Sequence, residues 1–216
     1  MLSKRKGALI LFSILLFFLT LIFLLKLGKP NFRPLPNFGI SLIDQDYFLN
    51  EDGDTIFVED LKGNIIIANY MSLDCPGDSC PLDFNLFNFY IYKEIASNDG
   101  FNDIKIISVF IDSSDDMLNK IRNFRNFNGI SKEKWLFLNE KENPFFKTNF
   151  ETNEELDEKV KAYGFQKNNH TKSLLIDKEF NVRGMYYTSQ IIPNLAGHEF
   201  KRITKEISLL LYEYKK

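Results

Sequence analysis

The hydrophobic pattern divides the chain into three parts. Gly7 to Leu25 is an uncharged stretch of nineteen residues, mostly Leu, Ile and Phe. As a helix rising 1.5 Å per residue it would be about 28 Å long, close to the hydrocarbon thickness of a bilayer. Pro30 to Gly39 holds three of the seven prolines and has no hydrophobic periodicity, which predicts a short, semi-extended linker. From about residue 40 the apolar positions fall into short runs and helical spacings. The expected organisation is therefore 1–28 as cytoplasmic tip and transmembrane anchor, 29–39 as linker and 40–216 as one folded domain.

Within the domain, Asp52-Gly53-Asp54 and Lys62-Gly63-Asn64 are turn signals around a short strand, Thr55–Val58. Asn64–Met71 is a continuous run rich in Ile, as expected of a strand buried on both faces. Residues 81–97 carry Leu82, Leu86, Phe89, Tyr90 and Ile95 at helical spacing. A second buried strand is predicted over Ile104–Ile111, a helix from Asp115 to about Asn126, and a third strand over Trp135–Leu138. A polar, acidic helix should run from about Asn153 to Tyr163. Ser173–Ile176 and Val182–Tyr187 flank Asp177–Asn181 as a hairpin, and the last helix spans about Glu199 to Tyr214. The order is β-α-β-α-β-α-β-β-α, with no internal repeat. Apolar strands alternating with helices require a central sheet covered on both faces, and the hairpin makes that sheet mixed. The predicted fold class is α/β: a thioredoxin-like mixed sheet flanked by helices, with extra N-terminal strands and an N-terminal transmembrane helix.

Charge sharpens the first part and excludes one class of partner. The 27 basic and 29 acidic residues leave a net charge of −2. Lys4, Arg5, Lys6, Lys26 and Lys29 lie in the first thirty positions, where no acid occurs, so the remainder carries a net −7. Nucleic acid requires a positive footprint, so it is excluded as a partner. The basic flank precedes the apolar stretch, which places the N-terminus in the cytoplasm and the domain outside. The stretch is longer than the apolar core of a signal peptide and no small-x-small cleavage site follows it, which predicts an uncleaved anchor. The expected location is the inner (cytoplasmic) membrane of a bacterium, crossed once, with the domain facing the periplasm or outer side, where disulfides persist.

Both cysteines lie in Leu73-Asp74-Cys75-Pro76-Gly77-Asp78-Ser79-Cys80-Pro81, just past the carboxyl end of the strand Asn64–Met71. Open α/β sheets favour that edge for their sites. Cys75-Pro76-Gly77-Asp78 suits a type II turn that folds Cys75 back toward Cys80. Pro81 suits the first position of a helix, which puts Cys80 at the N-cap, where the helix dipole favours a thiolate. A thiolate is needed both to attack a disulfide and to bind a soft metal such as Cu(I). Three readings stay open: a structural disulfide, a redox-active pair and a metal-binding pair. A structural disulfide across so tight a loop would remove little entropy from the unfolded chain. The chain has two histidines, His170, just before the strand Ser173–Ile176, and His198, near the start of the last helix. The loop before Ser173 reads His170-Thr171-Lys172, without the proline that faces the cysteines of an ordinary thioredoxin, and the Cys-x-x-Cys spacing is also missing. No Arg lies between Arg33 and Arg122, which disfavours a peroxide-reducing thiol.

Several segments, in order, resemble the SCO/SenC family of membrane-anchored, thioredoxin-like copper proteins. Leu35-Pro36-Asn37-Phe38-Gly39 is similar to the LPxxG that opens that family's domain. Met71-Ser72-Leu73-Asp74-Cys75-Pro76 with Cys80-Pro81 is similar to its cysteine motif, and Asp112 and Asp116 fall on the acids of its IDPxxD segment. Asn169-His170-Thr171-Lys172-Ser173-Leu174-Leu175-Ile176-Asp177 is similar to the segment that carries its metal histidine. The resemblance covers roughly residues 35–215. It departs at the cysteines, which have four residues between them instead of three, at Asn169 in place of an acid, and at Ser113 in place of the proline. The resemblance implies that Cys75, Cys80 and His170 bind copper, as Cu(I) or Cu(II), with Cys75 and Cys80 also able to form a disulfide. It further implies copper delivery for assembly of the binuclear centre of cytochrome c oxidase, with that enzyme's copper-binding subunit as partner. The alternative function is an extracytoplasmic thiol-disulfide reductase that keeps partner cysteines reduced. Asp112, Asp116 and the acids of Glu151–Glu158 are expected to be caps or solvated groups, and His198 to lie near a helix cap and bind no metal.

Overall fold

The computed structural model describes residues 4–27, 33–39, 47–70, 84–110, 115–139, 158, 173–186, 188 and 193–215. The chain separates into two compact units, Met1–Pro34 and Leu35–Lys216.

The first unit is built on one helix, α1 (Lys4–Leu27). Its large side chains from Leu9 to Phe23 are exposed. Among the described residues no helix is long and apolar enough to cross a membrane. The transmembrane anchor expected from Gly7–Leu25 is therefore not shown by the structure.

The second unit is a seven-stranded mixed sheet. Its strands are β1 (Tyr47–Asn50), β2 (Thr55–Phe57), β3 (Ile65–Tyr70), β4 (Ile104–Phe110), β5 (Trp135–Asn139), β6 (Ser173–Ile176) and β7 (Val182–Tyr186). The order across the sheet is β2-β1-β5-β4-β3-β6-β7. The centre, β3, β4 and β5, is parallel, and β6 joins β3 antiparallel. Hairpins form both edges, β1–β2 beside β5 and β6–β7 beside β3. The mixed, thioredoxin-like α/β sheet expected from the sequence is present, with two strands ahead of its core.

Local chemistry explains both hairpins. In the first, Asn50 Oδ1 accepts from Asp52 N and Asp54 N, while Gly53 supplies a φ of 83°. In the second, Asp177 Oδ1 accepts from Glu179 N and Asn181 N, and Phe180 takes the left-handed conformation at φ 66°.

Alternation along the strands sends side chains into two cores. Ile65, Ile67, Ile104, Ile106, Trp135, Phe137 and Leu175 face one cluster; Ile66, Ala68, Ile107, Val109, Leu136, Leu138 and Leu174 face the other. Three helical segments pack into the first cluster: residues 84–97 (α2), Asp115–Asn128 (α3) and Pro193–Glu213 (α4). Each Ile or Phe taken fully out of water there contributes about 1.5–3 kcal/mol.

α2 turns a different face inward from the one its sequence suggested. Phe84, Phe87, Ile91 and Ile95 are buried, whereas Phe89 and Tyr90 are 60% and 39% exposed. A π-helical turn over Asn88–Tyr92 lies within it. The last helix begins at Pro193, six residues ahead of the expected Glu199, because a proline at the first helical position needs no hydrogen-bonded N–H. The acidic helix expected over 153–163 lies outside the described residues, apart from Glu158, which is helical.

Residues 35–38, read from the sequence as part of the linker, are tied to the second unit. Arg183 donates to the Pro36 and Leu35 carbonyls and to Glu213, whose other oxygen accepts from Leu35 N at 2.7 Å. Phe38 is 2% exposed and its N–H reaches the Val182 carbonyl.

Candidate functional site

Strand register defines the edge where chemistry is expected. β3 runs toward its carboxyl end at Tyr70, and Asn69 lies opposite Ser173, the first residue of β6. On its other side Asn69 lies opposite Ser108 of β4. The chain that leaves β3 therefore starts beside the chain that enters β6. The first of these segments, residues 71–83, contains Cys75 and Cys80; the second ends two residues after His170. Cys75, Cys80 and His170 all lie outside the described residues, as does Asp112. Among the described residues no group of three His, Cys, Asp or Glu is placed to hold a metal ion.

Ser173, Asn69 and Ser108 form a buried polar row just inside this edge, on the face that carries α2, α3 and α4. They are 0%, 2% and 1% exposed. The two hydroxyls are engaged elsewhere: Ser173 Oγ lies 2.6 Å from Thr188 Oγ1, and Ser108 Oγ accepts from Trp135 Nε1 at 2.7 Å. Among the described residues neither the Nδ2 nor the Oδ1 of Asn69 has a partner. The strand pattern signalled this residue, as the strongly polar side chain that follows the apolar run Ile65–Ala68 within the strand Ile65–Tyr70, but the sequence reading passed over it.

Tyr186 of β7, opposite Ser173, extends the row. It is fully buried, and its hydroxyl donates to Glu206 Oε2 at 2.6 Å. Burial, then the Glu206 carboxylate, pushes its pKa well above the ordinary tyrosine value, so it stays neutral. Arg202 lies over its ring at 4.5 Å and donates to the Met185 carbonyl.

The remaining sequence candidates that are described lie apart from chemistry. Asp116 is exposed in the first turn of α3 and pairs with Lys120 one turn on, at 2.6 Å. His198 is exposed on α4, six positions into the helix rather than at its cap.

No protein-family model matches the chain, and no curated protein does. Solved structures do match. BsSco, a member of the Sco family of cytochrome c oxidase assembly proteins in which a disulfide switch has been identified, is 19% identical with a TM-score of 0.53, over 83% of this chain and 96% of its own. A SCO1/SenC family lipoprotein from Bacillus anthracis is 21% identical with a TM-score of 0.52, over 85% of this chain and 98% of its own. A putative protein disulfide isomerase from Bacteroides thetaiotaomicron reaches the same TM-score as BsSco, 0.53, at 14% identity, over 83% and 95%. The second unit of this chain thus has the thioredoxin-like fold that the Sco proteins share with disulfide isomerases.

Proposed function

We propose that this protein is a membrane-anchored, extracytoplasmic copper-binding protein of Sco type, whose cargo is copper for the binuclear centre of cytochrome c oxidase. The observation that carries the reading is the pairing of Asn69 with Ser173. Paired Cα atoms of antiparallel strands are about 5 Å apart. Chain reach is at most about 3.6 Å per residue, so Cys75 starts within about 18 Å of Tyr70 and His170 within about 11 Å of Ser173. The register thus permits the three side chains to meet above one sheet edge. Two thiolates and an imidazole are a donor set suited to Cu(I). The fold shared with Sco proteins supports the same reading. The anchor is α1, whose nineteen uncharged residues match a bilayer and whose basic flank keeps the N-terminus inside.

Copper retention tests this function. Reduced full-length protein loaded with Cu(I) should hold it against a weak chelator. Cys75→Ser and Cys80→Ser should each abolish retention, and His170→Ala should weaken it at least about tenfold, as loss of a ligand does. Copper lost equally by wild type and His170→Ala removes the reading.

The second reading is a thiol-disulfide reductase, favoured by the match to the Bacteroides disulfide isomerase. The reduction potential of the pair separates the two roles from a structural bridge. A value below about −300 mV marks a disulfide too stable for exchange or for reloading with metal.

A further inference from the structure

Asn128-Gly129 is the one Asn-Gly pair in the chain. Asparagine amides are thermolabile, and most so before glycine, whose missing side chain leaves its backbone nitrogen unhindered. That nitrogen attacks the Asn Cγ, and its proton leaves with the side-chain NH2 as ammonia. Water then opens the cyclic imide at either carbonyl, giving aspartate or isoaspartate. The fold nevertheless calls for this glycine, because α3 ends in a Schellman motif. Ile130 N donates to the Arg125 carbonyl at 3.0 Å and Gly129 N to the Asn126 carbonyl at 3.3 Å, with Gly129 at φ 61°. Gly129 is exposed, so water reaches the pair.

The π-helical turn of α2, Asn88–Tyr92, grips this corner at both of its ends. Asn88 Nδ2 donates to Asn128 Oδ1 at 2.9 Å, and Asn128 Nδ2 donates to the Phe124 carbonyl at 2.9 Å. Phe124 lies one turn earlier, so the second bond folds the Asn128 side chain back along α3, away from Gly129 N. The Tyr92 hydroxyl accepts from Ser131 N at 2.9 Å and donates to the Gly129 carbonyl at 3.4 Å. Asn88 adds little stability by this: it is 4% exposed and its Oδ1 has no partner among the described residues, which costs about as much as its bond to Asn128 returns. We propose that Asn128 is a deamidation site and that Asn88 restrains it, by holding the reactive amide where Gly129 N cannot attack. The acid formed would sit in the last turn of α3, where the helix dipole disfavours negative charge. Isoaspartate would also lengthen the backbone of a cap whose bonds fix its register, so either product loosens α3 from α2. The proposal is independent of what Cys75 and Cys80 do.

The test is incubation of full-length protein in detergent and mildly alkaline buffer, with peptide mass mapping around Asn128 over time. Wild type unfolded in guanidinium chloride gives the unrestrained rate, and native wild type should be slower by at least about tenfold. A native rate equal to the unfolded one overturns the proposal. Asn88→Leu keeps the size of the side chain and removes the unpartnered Oδ1, so its unfolding midpoint should equal or exceed that of wild type. Its Asn128 should nevertheless deamidate about fivefold faster, as the loss of a single hydrogen bond allows. Exchange of the Gly129 N–H is read in the same samples. Faster deamidation with unchanged exchange supports the restraint, whereas exchange raised by the same factor assigns protection to the helix cap and overturns it. A rate within about twofold of wild type in the folded variant, less than one hydrogen bond is worth, also overturns it. If Asn88→Leu does not fold, Asn88→Ala decides by the same criteria. Failure of both to fold assigns Asn88 to the fold and sinks the proposal.

Discussion

A Cβ on Gly184 would land on Tyr186 Oη and within 3.2 Å of Glu206 Oε2. The tyrosine has no room to yield, being fully buried and bonded to that same carboxylate. Gly184→Ala should therefore cost about 1–3 kcal/mol, as overpacking of a filled core does. The urea unfolding midpoint measures it, and an unchanged midpoint would show that Tyr186 can swing aside. At this scale the sequence was partly legible. Turn formers such as Gly53 and Asp177 announced their positions because their preferences are local. Gly184 did not, because the space beside it is taken by Tyr186 of its own strand, which Glu206 of α4 holds in place. The same holds for Glu51 and Arg125, 1% and 5% exposed, whose side chains pair at 2.5 Å although they lie far apart in the chain.

Elements show where pattern suffices and where it does not. β3, β4 and β5 were predicted to within a residue or two because a strand buried on both faces leaves an unbroken apolar run. β1 was missed, since Tyr47–Asn50 has four residues and only one strongly apolar buried side chain, Phe48. α2 was recognised as a helix, but its inward face was misread: residues 84–95 carry apolar side chains nearly all round, so spacing alone could not choose a side. The β1–β2 turn makes a prediction of its own. Asp52 accepts from Lys132 and from Arg122 of α3, and these bonds, that of Lys132 first, hold its carboxyl below the ordinary value. A depressed folded value means that this contribution is present above the unfolded pKa, about 3.9, and is lost as pH falls through the folded one. The Lys132 value is raised by the same bond, so its share is complete below the unfolded lysine value, about 10.4, and fades only above it. The urea midpoints of wild type and Asp52→Asn should thus differ modestly near pH 7, by less than about 1 kcal/mol for so exposed a cluster. They should converge below about pH 4. A difference that persists at pH 2 would show that the carboxylate charge is not its source.

At the scale of the molecule, Leu35–Phe38 and the edge formed by the end of β3 and the start of β6 lie at opposite ends of the sheet. Leu35–Phe38 is held by Arg183, Glu213 and Val182, at the start of β7 and the end of α4. The last residues of β3 and the first of β6, Asn69 and Ser173, pair at the other end. Because Leu35–Lys216 is a compact unit with both cores inside it, a fragment of residues 35–216 should fold alone, with a urea midpoint close to that of the full chain in detergent. A fragment that lacks a cooperative transition would show that α1 contributes to the core.

By itself the sequence determined the apolar N-terminal stretch, the order of the main strands and helices, and the three side chains with chemistry to offer. Those properties are written in local composition and period, which act over one helix turn or one pleat. Only the tertiary structure decided that β6 lies beside β3, so that the chain leaves β3 after Tyr70 and enters β6 at Ser173 along one edge. It also decided that Asn69 is buried beneath that edge, its amide without a partner among the described residues. Both depend on register between strands more than a hundred residues apart, which two buried faces fix and no local pattern can encode.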